Sequence, residues 1–239
     1  MRDRYRERLG QHLLARAGVD VLTAAAARAE WPAPTTLTAV LLPAAQGRRA
    51  LASLGAGTLQ VGEDLPGIED ADPDTPPTLL LVPDADGLGR VHLLRVLAGR
   101  HAVVGPPRPW DDARSSYDRA ARTARLARPS RAGAPVDTEQ HLADLVLTAD
   151  PDALADLRAH ALAPLADLPP GTRDRLAETL LSWLLHQGRR DAVAAELHVH
   201  AQTVRYRMGQ VRELYGDRLL DPAVVRELVV ALSAAQPHP

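Results

Sequence analysis

The stretch RRDAVAAELHVHAQTVRYRMGQVRELYG, from Arg189 to Gly216, contains the strongest structural signal in the sequence. Its first part, Asp191 to Leu197, predicts a short helix, and the three residues His198 to His200 predict a turn. A longer helix is predicted from Ala201 to Tyr215, because its apolar residues recur at spacings of four, three and four. These apolar residues are Val204, Met208, Val211 and Tyr215. A short helix, a turn plugged by an apolar residue such as Val199, and a longer helix are the components of a helix-turn-helix.

The opposite face of the longer helix is polar and cationic, and no acidic residue lies between Leu197 and Arg212. Arginine and tyrosine side chains can contact phosphates, whereas glutamine and threonine at the start of a recognition helix can contact base edges. His200 precedes the helix, where its side chain could cap the helix or contact a phosphate. The predicted DNA-binding residues are Gln202, Thr203, Arg205, Tyr206, Arg207, Arg212 and His200.

Two other interpretations of this segment stay open. Most charged helix faces are simply solvated, so the arginines need not bind anything. A metal site at His198 and His200, with His186 nearby, is less favoured because no cysteine or carboxylate stands at ligand spacing. No metal is therefore predicted.

The preceding segment, residues 176–185, is apolar around nearly its whole predicted helix. Such a helix is expected to be buried, either in the core of the domain or in a dimer contact. Its apolar residues are Leu176, Leu180, Leu181, Trp183, Leu184 and Leu185.

The first half of the chain has a different pattern. Strands are predicted at residues 35–42, 58–61, 78–82 and 101–104, alternating with helices, and one or two helices precede them with a possible break at Gly18. From Asp137 onward only helical periodicity is found. The predicted fold class is therefore α+β, a small mixed domain followed by an all-α domain, with the change near residues 130–136. The predicted parts are an N-terminal helical segment (1–31), an α+β domain (32–130), a helical connector (131–170) and a helix-turn-helix domain (171–239).

Composition narrows the class of protein. Cysteine is absent, which excludes disulfides and cysteine-based zinc sites. All 28 basic residues are arginine, a bias typical of a GC-rich genome and suggestive of an actinobacterial source. No signal-peptide or membrane-spanning pattern is found, which predicts a cytoplasmic protein that does not enter a membrane. A net charge of -2 gives no global sign of nucleic-acid binding, so that prediction depends on local charge.

Enzyme motifs are missing. The sequence has no GxSxG, no GxxxxGK and no HExxH, and Gln60 replaces the third glycine of a dinucleotide fingerprint that would begin at Gly55. The sequence therefore predicts a protein that is not an enzyme and needs no cofactor.

The segment HVHAQTVRYRMGQVRELYG resembles the C-terminal domain of PucR-type transcriptional regulators, and the likeness is close from Leu176 to Leu232. Upstream, AVVGPPRPWDDARSSYDRAARTARLA resembles the end of the GGDEF-like domain that precedes this helix-turn-helix in the same family. The resemblance implies a transcription factor with a catalytically inactive relative of nucleotide cyclases at its N-terminal side. A Gly-Gly-acidic-acidic turn, which a working cyclase would need, is absent.

One recognition helix contacts only a few base pairs, so we expect a homodimer on double-stranded DNA. A small-molecule effector is possible, but the sequence does not identify one. The alternative is a regulatory or protein-interaction module, derived from such a regulator, that does not bind DNA. The nearly neutral net charge motivates this alternative.

Overall fold

The computed structural model describes residues 2–62, 64–68, 75–126 and 133–234. The chain divides into two compact units, Met1–Leu145 and Val146–Pro239. The first unit contains a mixed sheet with helices and the second is helical, so the predicted α+β class is confirmed. Residues 129–132 of the connecting segment PSRAGAP lie outside the described residues.

The first unit begins with two helices and continues with alternating strands and helices. In chain order these are α1 Arg2–Leu14, α2 Val19–Arg28, β1 Thr36–Pro43, α3 Ala44–Ser53, β2 Leu59–Val61, β3 Pro77–Pro83, α4 Gly87–Val96, β4 Val103–Pro109, α5 Ala113–Leu126, β5 Val136–Asp137 and α6 Leu142–Leu147. The last of these helices extends two residues beyond the division between the units.

The five strands form one sheet in the order β2-β3-β1-β4-β5. The first four strands of this order pair antiparallel, and β5 joins parallel to β4. The succession β1-α3-β2-β3-α4-β4 with this order is the split βαβ arrangement, in which each helix connects two strands that flank a third. The structure therefore confirms four predicted strands and adds a fifth.

Two strands differ from the prediction. β4 continues through Pro106, Pro107 and Pro109, beyond the predicted end of this strand at residue 104. Proline cannot donate to a ladder, and the register of β1 against β4 shifts between Thr38 and Val40, opposite these residues. The short strand β5 was not predicted, because a strand of two residues has no periodicity to detect.

Both faces of the sheet are covered by apolar side chains, as the alternating direction of side chains along a strand requires. Leu37 and Leu41 of β1 pack with α1, α2 and α5, whereas Val40 and Leu42 pack with α3 and α4. The N-terminal helices contribute buried leucines to the first of these cores, and the break between them falls at Gly18 as predicted.

A buried ion pair fixes β5 to the sheet. The Nη2 of Arg90 lies 2.5 Å from Oδ1 of Asp137, and its Nη1 donates to the Gly105 carbonyl at 2.9 Å. Both charged side chains are nearly inaccessible to solvent. The Nε of Arg90 also lies 3.4 Å from Oε2 of the more exposed Glu139, so two carboxylates balance the charge of this buried guanidinium.

The second unit contains five further helices: α7 Pro151–Ala161, α8 Pro170–Leu185, α9 Arg190–Glu196, α10 Ala201–Tyr215 and α11 Pro222–Ser233. Leu176 and Leu180 of α8 are buried in its core, as predicted, whereas Leu185 is 56% exposed in the single chain. At Leu185 the expected dimer contact stays a prediction. Ala161 and Leu165, within the predicted connector, also pack into this core. Among the described residues, no helix combines the length and apolar character needed to cross a membrane.

Candidate nucleic-acid interface

The helices α9 and α10 are joined by a tight turn over residues 197–200. His198 adopts a left-handed conformation with φ of 51°, and the Val199 N–H donates to the Ala194 carbonyl at 3.0 Å. Val199 is half-buried and packs against the core of the second unit, which confirms its predicted role in the turn. Left-handed backbone is uncommon for residues other than glycine, so the surrounding contacts determine this conformation.

The longer helix α10 has the predicted bounds and the predicted buried face. Val204, Met208, Val211 and Tyr215 are each at most 2% exposed. The Tyr215 hydroxyl donates to the Ala161 carbonyl of α7 at 3.0 Å. Burial raises the pKa of Tyr215 to about 12, so the phenol stays a neutral donor. These contacts fix α10 on the core and leave its other face available.

His200 occupies the N-cap position of α10, but the prediction that its side chain caps the helix is wrong. Its carbonyl accepts from the Thr203 N–H at 2.8 Å, while its imidazole makes no capping hydrogen bond. The usual caps are short side chains such as serine or aspartate, whose oxygen lies close to the free N–H groups. The exposed imidazole of His200 is instead free to meet a ligand.

Gln202, Arg205 and Tyr206 are exposed on the outer face of α10. Tyr206 is 67% exposed, and its hydroxyl accepts from Gln210 Nε2 at 3.4 Å. Within the described part of the chain, no carboxylate lies at ion-pair distance from Arg205. The first half of α10 therefore presents an uncompensated cation beside polar side chains.

Arg207 and Arg212 are not simply part of this outer face. Arg207 is half-buried, and its Nη1 donates to the Thr179 hydroxyl of α8 at 3.2 Å. The guanidinium of Arg212 lies over the ring of Trp183, 5.3 Å from its centroid, in a cation–π contact. Both arginines therefore hold α10 against α8, while Arg207 retains other N–H groups. Helical periodicity alone could not reveal this, because the position of α8 is set by tertiary packing.

A second set of contacts fixes the short helix α9, and the sequence analysis missed it. The carboxylate of Glu196 accepts hydrogen bonds from the Ser182 hydroxyl and from His186, whose Nε2 lies 3.1 Å away. A carboxylate in the residue directly before the turn and a serine one helix earlier gave no recognisable spacing. His186 is thus engaged with Glu196, and the described residues contain no cluster of three potential metal ligands.

These elements define a helix-turn-helix domain in which α10 has an exposed, polar and cationic face. Residues 176–234 match the family described as the PucR C-terminal helix-turn-helix domain. An uncharacterized protein in the pkwA 5' region of Thermomonospora curvata is 35% identical over 130 residues, 46% of this chain and 72% of that protein. The chain belongs to the family of PucR-type regulators.

Further relatives occur in mycobacteria. An uncharacterized protein of Mycobacterium tuberculosis and one of Mycobacterium bovis are each 32% identical over 145 residues, 60% of this chain and 33% of those proteins. The chain thus spans about a third of the length of these mycobacterial relatives. A crystal structure of a regulator of polyketide synthase expression from Bifidobacterium adolescentis matches with a TM-score of 0.41 and 19% identity. This match covers 96% of the present chain and 91% of that chain, at a similarity too low to identify a shared fold.

Proposed function

We propose that this protein regulates transcription by binding double-stranded DNA, with α10 as the recognition helix in the major groove. The observation that carries the proposal is the exposed face of α10, where Gln202, Arg205 and Tyr206 lie together and no carboxylate of the described residues is at ion-pair distance from Arg205. Membership of the PucR-type regulators supports it.

The side chains of α10 take different roles in this proposal. Arg205 and Tyr206 contact phosphates, as does the part of Arg207 not bound to Thr179. Gln202 and Thr203 contact base edges from the start of the helix. Arg212 and His200 reach the flanking backbone, Arg212 from its position above Trp183. These contacts place the sequence discrimination in the first turn of α10.

The remainder of the proposal concerns the whole protein. We infer that two copies bind one operator, with recognition helices about 34 Å apart, since a single helix contacts too few base pairs. The split βαβ topology of the first unit supports a GGDEF-like origin. We infer that this unit is not catalytic, because the sequence lacks the Gly-Gly-acidic-acidic turn of a working cyclase. Relatives from Mycobacterium and Thermomonospora support an actinobacterial source. We further propose a cytoplasmic location, and the domain bounds 1–31, 32–130, 131–170 and 171–239.

Equilibrium titrations of the full chain on an operator and a scrambled duplex, at several salt concentrations, test the DNA interface. The operator would first be identified by selection from random duplexes. Arg205→Ala should weaken binding to both duplexes and flatten the dependence on salt by about one unit of slope. Gln202→Ala should cost about 1–3 kcal/mol on the operator only, and relax the choice of base at one position.

The matched control is Arg226→Ala, which removes an exposed arginine of α11, outside the recognition helix. It should leave both affinity and salt slope unchanged. If Arg205→Ala behaved like this control while the protein stayed folded, α10 would not contact DNA, and a protein-interaction module would be the better assignment. Light scattering of the complex with the operator tests the dimer, and a single chain per operator would exclude it.

A further inference from the structure

Four arginines surround one polar cavity of about 510 Å³ in the first unit, far along the chain from the helix-turn-helix. The cavity lies beside α5 and the end of β4. It is lined by Arg16, Arg108, Pro109, Asp112, Ser115, Asp118, Arg119 and Arg122. Such a lining is too polar for an apolar ligand and carries more positive than negative charge.

Both carboxylates of the cavity already have partners. Asp118 accepts from Arg114 Nε at 2.6 Å and from Arg16 Nη2 at 3.1 Å, so two guanidinium groups share its charge. Asp112 accepts from the Ser115 hydroxyl at 2.6 Å. The charge of Asp118 is thus shared by two guanidinium groups, whereas Asp112 keeps its charge but lies at ion-pair distance from none of the described arginines. With four arginines and two aspartates, the lining keeps an excess of positive charge.

Three guanidinium groups of the cavity form no close ion pair within the part of the chain that the structure describes. Among the described residues, Arg108, Arg119 and Arg122 have no carboxylate within ion-pair distance. Burial lowers the pKa of Arg119, and the charges of Arg108 and Arg122 lower it further, partly offset by Glu139. Three like charges held around one cavity repel each other unless an anion joins them.

We propose that this cavity binds the phosphate group of a small phosphorylated metabolite. The planar guanidinium group forms paired, charge-assisted hydrogen bonds with phosphate oxygens. A phosphate monoester offers three terminal oxygens to three unpaired arginines, whereas a carboxylate offers two. Such a site would give the protein a way to respond to a metabolite, and it does not depend on DNA binding by α10.

Calorimetric titration of the full chain, in chloride buffer at constant ionic strength, tests the site. The probes are glycerol 3-phosphate, inorganic phosphate and succinate, the last a dianion of similar size without phosphorus. The two phosphates should bind, and succinate should bind at least about tenfold more weakly, since each of its carboxylate groups has only two oxygens to accept hydrogen bonds from three arginines. The tighter of the two phosphates identifies an ester or the free ion as the ligand. Equal or tighter binding of succinate would overturn the specificity for phosphate.

The variants Arg119→Gln and Arg122→Gln should each weaken phosphate binding at least about tenfold, because each removes charge-assisted hydrogen bonds. Arg125→Gln is the matched control, since Arg125 is exposed on the same helix and does not line the cavity. In phosphate-free buffer, Arg119→Gln should unfold at the same temperature as the parent or higher, because it relieves repulsion.

Absence of phosphate binding, or equal loss in all three variants, would overturn the proposal. A third outcome would also overturn it: no binding of the small anions, but weaker binding of a DNA duplex by Arg119→Gln and Arg122→Gln. The arginines would then form part of a nucleic-acid surface.

Discussion

Replacement of Arg207 by alanine is expected to destabilise the second unit, whereas the same change at Arg205 is not. The two arginines lie two positions apart on α10, but only Arg207 donates a hydrogen bond to the buried Thr179 hydroxyl, at a distance of 3.2 Å. A hydrogen bond from a charged group contributes about 1.5–3 kcal/mol, and we expect the lower part of that range because Arg207 is only half-buried. Replacing an exposed arginine without an ion-pair partner, such as Arg205, should change the free energy of unfolding by no more than about 0.5 kcal/mol.

A double-mutant cycle isolates this contact. The variants are Arg207→Ala, Thr179→Val and their combination, and the free energy of opening of α10 is measured by hydrogen exchange of the peptide spanning residues 201–215. The coupling energy between Arg207 and Thr179 should be about 0.5–1.5 kcal/mol, and that between Arg205 and Thr179 should be close to zero. Equal destabilisation by Arg205→Ala and Arg207→Ala, or a coupling energy indistinguishable from zero, would refute a stabilising contact between Arg207 of α10 and Thr179 of α8.

Three further outcomes can be measured on the same protein. The pKa of Tyr215 is raised to about 12 in the folded protein, so its contribution to the free energy of unfolding should be complete below pH 10 and be lost as the pH rises through 12. Urea denaturation across this window should show a smaller decrease in the free energy of unfolding for the Tyr215→Phe variant than for the parent. Asp137→Asn should destabilise the first unit by about 1.5–3 kcal/mol, as it removes the more buried of the two carboxylates that pair with Arg90 and leaves only Glu139. Glu30→Gln on an exposed pair should have almost no effect in thermal unfolding. The Gly105→Ala variant should unfold at a lower temperature, since the added Cβ would lie 2.5 Å from the Ser116 carbonyl oxygen. The Gly209→Ala variant should raise the free energy of unfolding by up to about 1 kcal/mol, because Gly209 lies in the middle of α10 with open space around it.

Helix α10 could be predicted from local sequence alone. Its bounds and its buried stripe follow from the spacing of Val204, Met208, Val211 and Tyr215, since a helix repeats every 3.6 residues. The strands β1 and β3 could be predicted equally well, because an apolar run rich in β-branched residues and bounded by prolines is typical of a buried strand. The strand through Pro107 could not, since its pairing depends on a register shift opposite it.

The sequence by itself determined the α+β class, the helix-turn-helix and the set of polar residues on α10, because each depends on neighbours within one or two helical turns. Only the tertiary structure decided which of those polar residues are exposed to solvent and which contact α8. Two features join residues that are far apart in the chain. One is the contact of Arg207 and Arg212 with α8, and the other is the arginine-lined cavity between Arg16, Arg108 and α5. Such contacts depend on how whole elements pack, and no local periodicity encodes that arrangement.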